Sequence, residues 1–441
     1  MRAHLSNAAY GVLDYVTYPV AMLVAAPALL HHLGMAQYGV WVVCTAAVST
    51  GGIIASGFGD ANIQYVASMN SRGNREATLG AVRSMLGINL LLGCVFALIS
   101  LVLVPLISRH VASLDASLYK SCLWSLRIAS VLMLVRAVES VCVSTQRAFE
   151  RYGEAVFISM IARIATVVIA TIVTCYGYGV VSIMAFTFAL TALGTIVQLD
   201  RLKRQLGVTS LAPSFDREAT SALFSFGTFS WLQAVSSVIF SQADRLILGV
   251  SLGASSVTSY ALCVQLSQPI YGVAAAGLHF LFPYLSARQG IAAPDTLRRN
   301  ISTAFVINLL FIAVGTTAVL LFGPSLLHAW VGPVIAEKSY SVLTPIVWSF
   351  ALLGLNVTAY YSLLALGRVH VVTWLNILGG TAMLALMAWL LPRAGIRGVA
   401  IARLVYGLTT LLTYFPLVRI LAGGSYISLP AVSSSPVCED V

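Results

Sequence analysis

Charge is the scarcest property of this sequence. Asp, Glu, Lys and Arg make up only 9% of 441 residues while 59% are hydrophobic, against roughly 25% charged in ordinary soluble domains. So little charge excludes a water-facing enzyme or binding module. Metal and thiol chemistry lack their residues too. The seven cysteines (Cys44, Cys94, Cys122, Cys142, Cys175, Cys263, Cys438) contain no CxxC and sit mostly in apolar stretches, as small packing residues. Cys122 and Cys175 fall near the same membrane surface, but nothing in the sequence supports a disulfide between them. The seven histidines are scattered, with no carboxylate-paired or metal-type cluster. His279 falls within a span and reads as a packing histidine. A net charge of +10 comes with no basic, aromatic-interleaved domain, so no nucleic-acid partner is expected.

Apolar runs dominate what is present. An α-helix needs about 20 apolar residues to cross the hydrocarbon core of a bilayer, and run length with Gly, Pro and charge breaks gives spans at 11–31, 38–58, 84–106, 121–144, 155–174, 177–199, 221–249, 256–285, 301–322, 342–365, 369–391 and 396–420. The first run is followed by repeated spans and reads as a retained helix rather than a cleaved signal. The expected fold is an all-α polytopic membrane protein of about twelve helices. Orientation follows from the basic residues, which are held on the cytoplasmic side. With the N-terminus inside, fifteen Lys and Arg fall in inner segments and five (Arg109, Lys120, Lys338, Arg393, Arg397) in outer ones. Both termini are therefore expected in the cytoplasm.

The chain also resembles itself at a shift of 219 residues. Leu33-Gly34 meets Leu252-Gly253, Tyr65 meets Tyr284, Ile88-Asn89-Leu90-Leu91 meets Ile307-Asn308-Leu309-Leu310, Pro105 meets Pro324, and Gly179-Val180 meets Gly398-Val399. Six spans separate the copies, so the halves run parallel, related by an axis along the membrane normal. The expected organisation is a six-helix lobe at 1–205, a cytoplasmic linker at 206–219, a second six-helix lobe at 220–422 and a disordered cytoplasmic tail at 423–441.

Charges at membrane depth are costly and usually face a cavity or a partner. Here they are Arg127, Arg136, Glu139, Arg163, Asp244, Arg245 and Arg403, with Asp14 and Asp60 nearer span ends. Arg136 and Glu139 are spaced i to i+3 on one helical face. Arg127 projects to the opposite side and can snorkel outward. Arg136 and Arg163 lie about eight residues from inner span ends, roughly 12 Å deep at 1.5 Å per residue. With Glu139 they form one layer, either an Arg163–Glu139–Arg136 structural bridge or a site for an anion. Asp244, Arg245 and Arg403 form a second layer nearer the outer surface. Asp244 and Arg245 are adjacent and point about 100° apart, so Asp244 is expected to meet Arg403, as a structural bridge or a gate. Five arginines against two acids leave a positive surplus that an anionic cargo would offset, and the guanidinium fork suits phosphate or carboxylate. Arg136, Arg163, Arg245 and Arg403 are thus cargo-binding candidates; Glu139, Asp244 and Asp14 are coupling or gating candidates. Tyr260, Tyr271, Tyr360 and Tyr361 either line a sugar path or belong to interfacial belts.

Two stretches carry a resemblance. His32-Leu33-Gly34-Met35-Ala36-Gln37-Tyr38-Gly39-Val40-Trp41 resembles the LG-x-x-x-YG-x-W pattern of polysaccharide flippases in the MATE-like (MOP) superfamily. Asp244-Arg245-Leu246-Ile247-Leu248-Gly249 is similar to their D-R-x-x-L-G segment. The resemblance implies a Wzx-type flippase in a bacterial inner membrane, moving undecaprenyl-pyrophosphate-linked oligosaccharide repeat units by alternating access. It further implies no cofactor, coupling to H+ or Na+, and as partners the lipid-linked oligosaccharide, membrane lipids, a polysaccharide polymerase and a chain-length regulator. Twelve spans rather than fourteen depart from the lipid II flippases. Sparse acids in the first half depart from exporters of cationic drugs, although a MATE-like small-molecule exporter is the alternative. A membrane-embedded polymerase or acyltransferase fits less well, because the longest outer segment, 323–341, is short.

Overall fold

The computed structural model describes residues 2–112, 115–149, 152–279, 281–286 and 294–423. The tail beyond 423 lies outside the described residues. Thirteen α-helices and a 3-10 turn (Leu411–Thr413) occupy them: α1 (Arg2–Ser56), α2 (Gly59–Ser71), α3 (Arg75–Ala112), α4 (Ala116–Ala148), α5 (Tyr152–Cys175), α6 (Val180–Leu206), α7 (Arg217–Leu252), α8 (Ala254–Leu278), α9 (Leu281–Ser286), α10 (Pro294–Val331), α11 (Pro333–Ala365), α12 (Val369–Thr410) and α13 (Tyr414–Gly423). Among the described residues, eight helical stretches are long and apolar enough to cross a membrane. Large apolar side chains face outward on them, as with Val24 and Val102 at 77% exposure, the arrangement expected where lipid is the solvent. The chain is a multi-pass membrane protein.

Two of the eight are double rods. α1 passes through Gly34 at φ 71°, ψ 169°, and α12 through Gly395 at φ 53°, ψ −136°. The twelve-span expectation further requires α4 and α7, of 33 and 36 residues, as crossings. The internal repeat is visible in the backbone: Gly253, between α7 and α8, sits at φ 80°, ψ 172°, nearly the conformation of Gly34 at its matching position. That region is essentially open to glycine alone. α3 and α10 begin and end at matching residues. Asn89 on α3 donates its side-chain amide to Ala137 O (3.1 Å) and Ser140 Oγ (2.9 Å) on α4. Asn308 on α10 donates likewise to Gly354 O (2.9 Å) and Thr358 Oγ1 (3.2 Å) on α11. Each half uses one buried amide to fasten the same helix pair, a polar tie suited to a lipid environment that supplies little hydrophobic drive between helices.

The halves share one core at one end. At the other, the first part of α7 still packs on the first half, with Trp231 stacked on Phe58, while the rest of the second half forms its own cluster. One apolar core holds buried residues of both, from Leu29, Tyr38 and Val43 to Tyr260, Ile346 and Val399. It lies at the end marked by Gly34 and Gly253. There a Cβ on Gly39 would run into the carbonyl of Ala254, so two helix backbones touch. Thr258 Oγ1 donates to Met35 O (2.6 Å), Gln265 Nε2 to Tyr38 Oη (3.0 Å) and Trp330 Nε1 to Leu23 O (2.8 Å). Toward the opposite end the core divides. One cluster gathers Phe58, Met85, Val141, Leu202 and Leu223; the other gathers Leu285, Leu297, Leu363 and Leu417.

Several expectations need correction. Within the expected eighth span α8 ends at Leu278 and α9 begins at Leu281, and His279 is exposed, its ring edge-on to Tyr361 at 5.6 Å. An exposed ring is not the packing histidine expected there. Residues 323–341 are not a loop but the adjoining ends of α10 and α11, parted at Gly332. Cys122 is buried and Cys175 exposed, and both are free thiols.

Candidate functional site

Among the described residues, two neighbouring cavities share Trp41, Thr45 and Ser49 as lining. The larger, about 550 Å³, is built mainly from the first half. The helical period explains its floor. On α4, Leu132, Arg136, Glu139, Ser140, Val143, Ser144 and Arg147 line it, a stripe repeating every three or four residues down one face. Ser159, Arg163 and Thr166 of α5 face them, and Trp41, Thr45, Ser49 and Gly52 of α1 complete the wall. Gly52 matters because the place its Cβ would take is 3.4 Å from Arg136 Cβ, so α1 lies directly against the arginine.

Polar side chains are wired across this cavity. Arg136 Nη1 donates to Glu139 Oε2 at 2.6 Å. Ser159 Oγ donates to Glu139 Oε1 (3.3 Å) and Gln198 Nε2 to Ser159 Oγ (3.1 Å). One carboxylate thus gathers α4, α5 and α6. Arg163 lines the same space. The expected layer of Arg136, Glu139 and Arg163 is therefore assembled, with the Arg136–Glu139 pair made within one helix.

Arg147 was not foreseen. Counted among cytoplasmic loop residues, it instead stands on α4 eleven positions after Arg136, almost in phase with it. Its Nε is buried with no hydrogen-bond partner among the described residues. The signal was available as the continuation of the Arg136, Glu139/Ser140, Val143/Ser144 stripe.

The second cavity, about 450 Å³, lies among α1, α7, α8, α11 and α12 and shares Trp41, Thr45 and Ser49 with the first. Arg245 and Arg403 line it, as do Gln242, Gln265, Gln268, Tyr271 and Tyr406. Asp244, fully buried, accepts from Arg403 Nη1 across two helices. Tyr260 Oη also donates to Asp244 Oδ2 (2.6 Å), and the Arg245 amide to Asp244 Oδ1 (2.8 Å). The Arg403 guanidinium rests 4.8 Å from the Phe350 ring centre. Arg245 instead gives Nη1 to Gln242 Oε1 (3.2 Å). Asp244 thus meets Arg403 rather than the side chain of Arg245, as the helical angle predicts. The Nε atoms of Arg245 and Arg403 and the Oε1 of Gln265 are buried without partners among the described residues.

The other candidates lie elsewhere. Arg127 stands 5.0 Å from the ring of exposed Trp124, consistent with snorkelling. Of the four tyrosines, Tyr271 lines a cavity, Tyr260 is a buried partner of Asp244, and Tyr360 and Tyr361 stack edge-on to each other at 5.4 Å. The side chains of Asp14 and Asp60 lie outside the described residues. Among the described residues no group of His, Cys, Asp and Glu is placed to hold a metal.

Residues 32–312 match the family described as "Polysaccharide biosynthesis protein". No curated protein matches by sequence. The fold is similar to an inward-facing multidrug resistance MATE family transporter of the MOP superfamily, at TM-score 0.71 and 16% identity over 95% of this chain and 100% of that one. It is also similar to the lipid II flippase MurJ in an inward closed conformation, at TM-score 0.74 and 13% identity over 94% of this chain and 87% of that one. Against an outward-facing MATE transporter the TM-score is 0.56, at 16% identity over 93% and 96%.

Proposed function

Since the chain belongs to the polysaccharide biosynthesis protein family and has the MATE-like transporter fold, we propose that it flips undecaprenyl-pyrophosphate-linked oligosaccharide repeat units across a bacterial inner membrane, supplying a surface polysaccharide. The observation that carries the reading is the charge of the larger cavity. Arg136, Arg147 and Arg163 all line it, together with Glu139. Three guanidinium groups on one cavity wall suit a pyrophosphate diester, whose ionised oxygens are recognised by paired guanidinium hydrogen bonds.

The cycle follows from the parted core. With twelve crossings, both termini cytoplasmic and basic residues inside, the parted end faces the cytoplasm, and the pyrophosphate enters there from the inner leaflet. Lobes at 1–205 and 220–422, joined through 206–219, rock about the end marked by Gly34 and Gly253, where a polymerase and a chain-length regulator would receive the unit. Glu139, tied to Arg136 and Ser159, and Asp244, tied to Arg403 and Tyr260, are the carboxylates at which a proton or Na+ would exchange; Asp14 is retained as a third candidate.

Reconstitution into liposomes holding a pyrophosphate-linked oligosaccharide tests this. Wild-type protein is expected to deliver the lipid to the opposite leaflet, and Arg163→Ala or Arg147→Ala protein of normal assembly to lose most of that rate. Export of a small cationic dye without movement of the lipid would replace the reading with a small-molecule exporter.

A further inference from the structure

The two cavities differ in chemistry, and the difference divides the cargo. The larger is lined by the three arginines just described, whereas the second is walled by amides and aromatic rings: Gln242, Gln265 and Gln268 with Tyr271, Tyr406 and Trp41. Planar amides that both donate and accept, set beside aromatic faces, suit sugar hydroxyls and the apolar faces of pyranose rings. Gln265 is built for such a task. Its amide nitrogen is committed to Tyr38 Oη (3.0 Å), leaving a buried Oε1 without a partner among the described residues, and an unmet buried acceptor is costly unless a ligand hydroxyl satisfies it.

One charge in this second cavity is not cancelled. Arg403 is neutralised by Asp244, but among the described residues Arg245 gives its side chain only to the neutral Gln242 Oε1, and its Nε is buried without a partner. Arg245 is thereby steadied from one side with donor capacity left over. Resting on the flippase reading above, we propose that the second cavity is the glycan subsite, and that Arg245 is its specificity residue, selecting a repeat unit that bears a carboxylate, such as a uronic acid. Because the cavities adjoin at Trp41, Thr45 and Ser49, one molecule would reach both, pyrophosphate against α4 and α5, sugars against α7 and α8.

The test uses the full-length protein in nanodiscs and three synthetic probes on a short, soluble prenyl chain: the bare pyrophosphate, the pyrophosphate carrying a neutral glucose disaccharide, and the same disaccharide with glucuronate at its end. In wild type each addition is expected to tighten binding, the carboxylate by about tenfold, the scale of one charged hydrogen bond. Arg245→Gln should make the acidic and neutral conjugates equal, and Gln265→Ala should weaken both conjugates relative to the bare pyrophosphate. If the bare pyrophosphate binds and the disaccharides add nothing, the glycan subsite is wrong while the flippase reading stands. Equal loss of all three probes on Arg245→Gln would place the pyrophosphate in the second cavity and overturn the division. If no probe binds wild type, both readings fall.

Discussion

At the scale of single residues, Asp244 and Arg403 show what embedded charge does here. Neither is meaningfully exposed, and each is the other's counter-ion, with Tyr260 donating to the same carboxylate oxygen. Removing one partner of a buried pair strands the other, at a cost of about 3–5 kcal/mol, whereas replacing both with apolar residues of similar volume is near neutral. Arg403→Met alone should therefore sharply lower thermal stability in detergent, and Asp244→Leu with Arg403→Met should recover most of it. Failure of the double substitution to recover stability would mean the pair does more than balance charge. This pair was legible in the sequence because depth from a span end can be counted and adjacent residues diverge by a fixed angle. Arg147 was not: whether a basic residue near a span end belongs to a loop or to a cavity depends on how far the helix continues, and α4 continues to Ala148. Nor were the amides of Gln265 and Gln268, since in sequence they are two polar positions on an apolar helix and only the packing of α1 against α8 makes them a wall.

At the scale of elements, glycines and caps set where rods begin and bend. A Cβ at Gly34 would meet nothing within 4 Å, so the cost of Gly34→Ala is backbone strain alone, about 1–3 kcal/mol at such a φ/ψ. The matching Gly253 carries the same backbone strain, at φ 80°, and each substitution is expected to lower the melting temperature without changing what the cavities bind. Unchanged stability in Gly34→Ala would show that the bend is not enforced by the backbone. The first turn of α4 has a different control. The Asp115 carboxylate accepts the amides of Leu118 and Ser117 and the Ser117 hydroxyl, and these bonds, that from Leu118 foremost, hold its pKa below the ordinary value. A carboxylate lowered by folding stabilises above its unfolded pKa and loses that contribution as pH falls through the folded value. Hydrogen exchange at Ser117 and Leu118 should accordingly quicken in acid in wild type and be fast and pH-insensitive, after correction for intrinsic rates, in Asp115→Ala. The positions of most rods were legible from apolar run length, but not the break after Leu278. Residues 256–285 carry no charge, and the boundary between α8 and α9 accompanies the packing of α9 on α11, which no local pattern encodes.

At the scale of the whole molecule, the 219-residue register in the sequence becomes matching helix ends, matching glycine bends and matching Asn89 and Asn308 ties. Two like halves that share a core at one end enclose the two cavities, and the proposed cargo, a large anionic amphiphile, would use both. What the protein carries is therefore tested most directly in its host. Mass spectrometry of lipid extracts after depletion should reveal a polyprenyl-pyrophosphate oligosaccharide accumulating on the inner leaflet, reversed by re-expression of wild type but not of Arg163→Ala. An unchanged lipid pool with normal surface glycan would contradict the account.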